Sequence, residues 1–388
     1  MHSPPATAQR RTYAPLGRTI SALGVAALLV VSQLYASIPL SALAAADLGV
    51  PESALAWSST GFGLAYAFGF LFLGPLSDRF GPSRVMVVGL AVTALTTAAV
   101  ALAPGVSGLV VLRAFQGFTA SAFGPAALAY VGAQIDPQRR AVAFTLLTSA
   151  FVSSAVIGQV GAQLLGDLVG WRAVFVISGI GLLACAVWQK LVLQPEPAQP
   201  AAVTVSPWRV MVELLRNRRL ALLFAAASTL LAGFVGAYSG IQITGLADQD
   251  GLLWLRASAL PAMVLTAVAA PLVTRIAASR RAVLALGLSA VGAAITAASG
   301  GGLVLIGVGM FVFSACVVAA GPALVESISD NAGPARATAV SVYSFVLFIG
   351  ASLGPQLAVV LHDAGFSVIA LAIAALLSLG TLLARLAR

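Results

Sequence analysis

Gly74-Pro75-Leu76-Ser77-Asp78-Arg79-Phe80-Gly81-Pro82-Ser83-Arg84 is a short charged turn between two long apolar runs, and its reading decides the fold. Each flanking run holds roughly 20 mostly apolar residues, the length that crosses a bilayer as a helix. Neither run alternates polar with apolar, so strands are excluded. The rest of the chain repeats this pattern. Of its 388 residues, 60% are hydrophobic and 9% are charged, against about 25% charged in a soluble domain. So few charges cannot clothe a water-facing surface, and the alternative solvent is lipid. Lipid admits only helices and closed barrels, because no water is there to satisfy a free backbone group.

Working outward from that turn, the apolar runs predict an all-α integral membrane protein of about twelve helices. They lie near 18–45, 53–76, 83–103, 106–133, 140–166, 171–193, 218–243, 251–274, 280–300, 303–327, 336–361 and 365–385. Arg10 and Arg11 before an apolar run, with Ala44-Ala45-Ala46 beyond it, also suit a secretory signal. The distance from Arg18 to Ala46 is too long for a signal core. Residues 1–17 therefore read as a short cytoplasmic tail.

Charge placement tests this map. With both termini cytoplasmic, every basic residue except Arg113, Arg172 and Arg256 falls on the cytoplasmic side, out of 21 in the chain. Arg172 shares the opposite side with Asp47, Glu52, Asp167, Asp248, Asp250 and Asp363. Basic residues in short loops stay cytoplasmic. The net charge of +9 is thus a mark of topology; scattered over many loops, it forms no stripe for a nucleic acid.

The chain also repeats itself. Shifted by 196 positions, Pro75-Leu76 falls on Pro271-Leu272, Arg79 on Arg275, Ser83-Arg84 on Ser279-Arg280, Arg140-Ala141 on Arg336-Ala337, Gly158 on Gly354 and Asp167 on Asp363. Such a period marks duplicated units. It predicts two six-helix halves, 18–193 and 218–388, joined by a cytoplasmic linker, 194–217, rich in Pro and Arg.

Residues 74–84 resemble the signature loop between helices two and three of the major facilitator superfamily, and Arg113-Ala114-Phe115-Gln116-Gly117 resembles its motif in helix four. Helix count, duplication and linker extend the resemblance along the whole chain. Within the family the sequence is similar to the twelve-helix bacterial drug and sugar efflux branch. It departs where Pro82 and Ser83 stand in place of two basic residues. It departs again in helix five, where Gly158-Gln159-Val160-Gly161 lacks the branch's proline; Gly350 to Pro355 in helix eleven matches better. The resemblance implies a cytoplasmic latch at Gly74, Asp78, Arg79, Gly81 and Arg84. Asp78 at a helix C-terminus opposes that helix's dipole, which a partner cation or another helix's N-terminus would relieve. The bland alternative is a loop charge that sets topology. Glu326 reads either as a gate element paired with Arg336 or Arg275, or as a solvated acid.

Arg113 lies too deep in helix four for a casual surface charge. Ionisable groups inside a span are costly and usually face an interior path. It reads as a proton-coupling residue, as an anchor for an anionic solute group, or as a structural bond to a neighbouring helix. Arg256, close to the outer end of its helix, reads as snorkelling to the surface. The family fold implies a path lined by helices one, four, seven and ten, with two, five, eight and eleven beside them. The uncommon polar or aromatic residues there are Gln33, Tyr35, Tyr66, Gln116, Gln159, Tyr238, Gln242, Tyr343 and Gln356. Each suits helix packing as well as a ligand contact. Together they describe an apolar cavity with few polar anchors, fit for an amphiphilic solute. Pro39, Pro125 and Pro322 interrupt backbone bonds within spans and suit halves that rock.

No metal-ligand cluster or Ser/His/Asp set can be assembled, and no Gly-rich phosphate loop ends in Gly-Lys-Ser/Thr. The expectation is a cofactor-free, non-enzymatic, monomeric carrier in the inner membrane. The leading reading is export of a small organic solute by proton antiport, with drug resistance as its physiological face. The alternatives are an uptake carrier or facilitator for a sugar or organic anion, and a membrane sensor or scaffold without transport.

Overall fold

A long apolar run in lipid must satisfy its own backbone, so each closes an i to i−4 hydrogen-bond ladder. The computed structural model describes residues 13–194, 207–262, 265 and 276–388, without the side chains of 74, 75, 78, 141, 207–210, 334, 336 and 337. Among the described residues all regular elements are helical. The first are α1 (Leu16–Leu48), α2 (Ala56–Phe80), α3 (Pro82–Val100), α4 (Val106–Ala120), α5 (Phe123–Gln134), α6 (Pro137–Val169) and α7 (Trp171–Val192). There follow α8 (Pro207–Arg216), α9 (Arg218–Ile243), α10 (Gln249–Ala257), α11 (Ala278–Ala297), α12 (Leu303–Asn331), α13 (Arg336–Val360) and α14 (Phe366–Leu386). Among them are 11 spans long and apolar enough to cross a membrane, with α4 and α5 sharing one. The helix expected over 251–274 is described only through 262 and at 265, and Pro271, Leu272 and Arg275 of the repeat lie outside the described residues.

Local signals set the boundaries. Gly81 takes φ 85°, a conformation open to glycine at little cost; it ends α2, and Pro82 opens α3 at N1. Asp136 caps α6, accepting from the Gln138 N–H, and Asn217 caps α9. The fourth span is broken at Ser121-Ala122, because Pro125 has no N–H to offer the Ser121 carbonyl. Pro39, Pro322 and Pro355 stay inside unbroken helices. The segment read as a plain linker holds the short helix α8, which packs on α9 and α13.

The helix pairing repeats. α1 packs on α6, α2 on α4 and α3 on α7; in the later part α9 packs on α13, α10 on α12 and α11 on α14. Between the two sets, α2 meets α13, α1 meets α9 and α6 meets α10. Small residues permit the closest contacts: a Cβ on Gly354 would stand 2.6 Å from the Ala232 carbonyl oxygen. Its repeat counterpart Gly158 meets Ser32 of α1 just as tightly. The helices at the centre, α1 and α9, are buried over most of their length. The outer ones display Leu95, Leu168, Leu191, Val304 and Val360, an apolar exterior that belongs in lipid.

The start of α1 lies beside the end of α5, through the Ala14 N–H on the Gln134 carbonyl. The end of α14 lies beside the starts of α9 and α11, through Arg388 with Arg219 and with the Ser279 carbonyl. We call this end of the bundle proximal and the opposite end distal.

Candidate functional site

Two turns into α4 from the distal end, the Arg113 side chain is fully buried. Its Nη1 donates to Gln116 Oε1 at 2.6 Å and its Nη2 to Ser37 Oγ at 3.2 Å. Gln116 sits one helical turn on, on the same face. Its amide donates to Gln33 Oε1 on α1 at 3.1 Å and to Thr97 Oγ1 on α3 at 2.9 Å. Gln33 in turn donates to the Leu29 carbonyl, and Ser37 bonds Ser59 of α2 at 2.9 Å. The guanidinium lies 4.3 Å from the Phe62 ring centroid and 5.6 Å from that of Phe175. Gly117 brings α4 against α2 here, since a Cβ there would overlap the Phe62 carbonyl. The motif in helix four thus supplies the cation, its amide acceptor and the glycine that lets α2 approach.

Arg256 departs from the sequence reading. It is 1% exposed and does not snorkel. Its Nη1 donates to Gln163 Oε1 on α6 and its Nη2 to Gln242 Oε1 on α9. Gln163 also donates to the Gln249 carbonyl at 2.7 Å. Beyond one helix end lies another packed helix, so the side chain has no water to reach. At the repeat-related position, Thr60 donates to the Ser352 carbonyl at 2.8 Å and accepts from Gln356 at 3.0 Å. Positions 60 and 256 are separated by the same 196-residue period. Both tie the two helix sets together near the distal end. That shared period is the one sequence signal that could have marked Arg256.

The remaining candidates divide. Tyr35 meets Phe234 of α9 edge-on, and Tyr66 packs with Phe62, Phe70 and, across to α13, Phe348 at 4.6 Å. Tyr238 bonds Ser314 at 3.2 Å, and Tyr343 donates to the Gly321 carbonyl at 3.4 Å. Gln159 donates to the Ala155 carbonyl of its own helix and leaves Oε1 without a partner. Gln33 and Gln116 therefore share the Arg113 network, Gln242 and Gln356 the distal contacts, and Tyr343 and Gln159 neither.

The acids sit apart from Arg113. Asp47 pairs with Arg172 at 3.0 Å and accepts from the Trp171 indole. Glu326 pairs with Arg281, between α11 and α12 of one helix set; of the partners expected for it, Arg275 and the Arg336 side chain lie outside the described residues. Glu52 accepts from Ser41 Oγ of α1. It lines a small void between the helix sets with Ser37, Ser239 and Gln242. A second void, sharing Ser37 and Ser41 with the first, reaches Arg113. At the proximal end Arg79 and Arg84 are exposed, Arg79 lying over Phe80. The Asp78 side chain lies outside the described residues, so the expected latch is placed only through Gly81 and these two cations.

A sequence profile of the Major Facilitator Superfamily matches residues 22–355. The chain is similar to the tetracenomycin C resistance and export protein of Streptomyces glaucescens, 33% identical over 36% of this chain and 26% of that protein. It is similar to a puromycin resistance protein of Streptomyces alboniger, 31% identical over 36% of this chain and 28% of that protein. It is also similar to the inner membrane transport protein YnfM of Escherichia coli, 26% identical over 58% of this chain and 54% of that one. The match thus spans about a quarter of the two resistance proteins and about half of YnfM.

Proposed function

The chain belongs to the major facilitator superfamily and is a multi-pass membrane transporter, and from that premise we propose that it exports a small amphiphilic organic solute in exchange for protons. The setting is the inner membrane, as for YnfM, with twelve spans and the proximal end in the cytoplasm. The halves are 18–193 and 218–388, joined by 194–217, and the carrier works as a monomer. The names of the resistance and export relatives favour outward movement. The polar-poor seam between helix sets, with Tyr35, Tyr66, Phe234 and Phe348 facing one another, favours an amphiphile.

The observation that carries the reading is the buried Arg113–Gln116–Gln33 network, where α1, α3 and α4 meet. A lone scaffold gains nothing from a guanidinium buried at this cost. Alternating access then means breaking the distal contacts of Arg256 and Thr60 and closing the proximal end. Asp78, Arg79 and Arg84, with Gly74 and Gly81 allowing the approach, make the proximal latch; Glu326 holds α11 to α12 beside it. Glu52 is placed to take the coupling proton, because it borders the void and is tied to Ser41.

The test is proton movement in proteoliposomes under an imposed pH gradient, on adding lipophilic cations, sugars or organic acids in turn. Solute-evoked proton flux that is lost in Arg113→Ala and Glu52→Gln supports the antiport. Solute movement without protons leaves a facilitator, and no movement of any class sinks transport by this chain under these conditions.

A further inference from the structure

Among the described residues, Arg113 has no acid beside it. Every acceptor described for it is neutral, namely Gln116 and Ser37. Its Nε has no hydrogen-bond partner at all, although it is buried. Asp47 is taken by Arg172, Glu326 by Arg281, and Glu52 accepts from Ser41. Asp78 cannot reach it: Phe62, which stacks on the guanidinium, lies on the same helix about 24 Å away along the axis at 1.5 Å per residue. Of the other described acids, Asp136, Asp167, Asp248, Asp250, Asp330 and Asp363 sit at helix ends or in connections, and Glu213 lies in the short helix α8. A buried cation ordinarily has an anion as partner, because low-dielectric surroundings penalise an uncompensated charge. The Phe62 and Phe175 rings offset part of that penalty without neutralising the charge.

The void at this guanidinium is lined by Ser37, Ser41, Ser58, Trp171 and Phe175 as well. Its hydroxyls are engaged locally, Ser58 donating to the Leu55 carbonyl, Ser41 to the Ile38 carbonyl and Glu52, and Ser37 accepting from Arg113; a hydroxyl rotates, so each can turn toward an anion set beside the guanidinium between two aromatic rings. A planar carboxylate is the group such a fork accepts. The neighbouring void shares Ser37, Ser41 and Leu55 with it and borders Ser239 and Gln242 on α9, so a solute body attached to that carboxylate would extend toward the seam between the helix sets. A cationic solute would meet Arg113 with Glu52 as the acid among the described residues lining the two voids; a neutral one would leave Arg113 as unpaired as before.

We propose that the carried solute is a monoanion with an aromatic or otherwise apolar body, and that its carboxylate or equivalent anionic group docks on Arg113 between Ser37 and Ser58. This rests on the transport reading and names its substrate class. Arg113 itself does not carry the coupling proton, since a guanidinium does not deprotonate in a protein.

The experiment is equilibrium binding to the full chain in nanodiscs, with 2-naphthoate and its uncharged amide as the paired probes. The acid should bind saturably and more tightly than the amide. Arg113→Gln should weaken the acid at least about tenfold, the loss of one charge-assisted contact, while leaving the amide unchanged. Ser58→Ala should weaken the acid less, and serves as a second variant where the charge removal harms folding. Equal binding of acid and amide to the unaltered protein overturns the proposal, as does an equal loss of both probes in Arg113→Gln or no saturable binding of the acid. Binding is independent of direction and coupling. Naphthoate preference without proton-linked flux therefore removes antiport and keeps the anion site, whereas proton-linked flux of cations without that preference does the reverse.

Discussion

Arg113 and Gln116 act as a unit, because the amide that accepts from the guanidinium also donates to α1 and α3. Gln116→Leu leaves Arg113 Nη1, Gln33 Oε1 and Thr97 without this partner. Each orphaned buried group costs about 1–3 kcal/mol, so the variant should unfold at a clearly lower temperature in detergent; an unchanged midpoint would mean the network is slack. Arg113→Lys keeps the charge but not the fork. Its ammonium cannot serve Gln116 and Ser37 in the same geometry, and the transport rate should fall about tenfold or more, as for one charge-assisted bond of about 1.5–3 kcal/mol. A rate within a factor of two of the unaltered protein would show that charge alone suffices. The sequence flagged Arg113 and Gln116 by depth and motif. It did not flag Ser37, Thr97 or Phe62, which are ordinary residues on other helices and become partners only by proximity.

At the scale of helices, contact is set by glycine. Gly117 lets α4 touch the α2 backbone at Phe62, and Gly354 lets α13 touch α9 at Ala232. Valine at either position forces the pair apart, at an overpacking cost of about 1–3 kcal/mol. Gly117→Val should also displace Phe62 from the guanidinium, so it should lose transport as well as stability. Gly354→Val should lose stability first. Paired measurements of melting temperature and flux separate the two, and equal effects at both sites would refute the distinction. Helix existence was legible because lipid demands local backbone satisfaction over a fixed length. The break at Ser121 and helix α8 were not. The first depends on how a proline's lost bond is absorbed, and the second on a short amphipathic turn finding α9 and α13 to cover it.

For the whole molecule, the proposed alternation turns on the distal contacts. Thr60→Cys with Gln356→Cys, in a background where Cys185 and Cys316 are Ala, should form a disulfide across α2 and α13 and stop transport until reductant is added. Transport that survives full cross-linking would show that this seam does not part. Arg256→Leu frees Gln163 and Gln242 together, so a cysteine at Ser59 should label faster with a membrane-impermeant maleimide; unchanged labelling would assign the closure to other contacts.

By itself the sequence determined the solvent, the helical class, the family and the internal period, together with the depth of Arg113. All of these follow from composition, run length and spacing along one chain, where lipid leaves each helix to satisfy its own backbone. It took packing between helices to enclose Arg256, to set Glu326 against Arg281, and to leave Arg113, among the described residues, without an acid. Those outcomes depend on how each helix is rotated about its axis and which neighbour it meets. In a span that is apolar on all sides, the 3.6-residue period carries almost no information about that rotation, so it is set by packing between segments far apart in the chain.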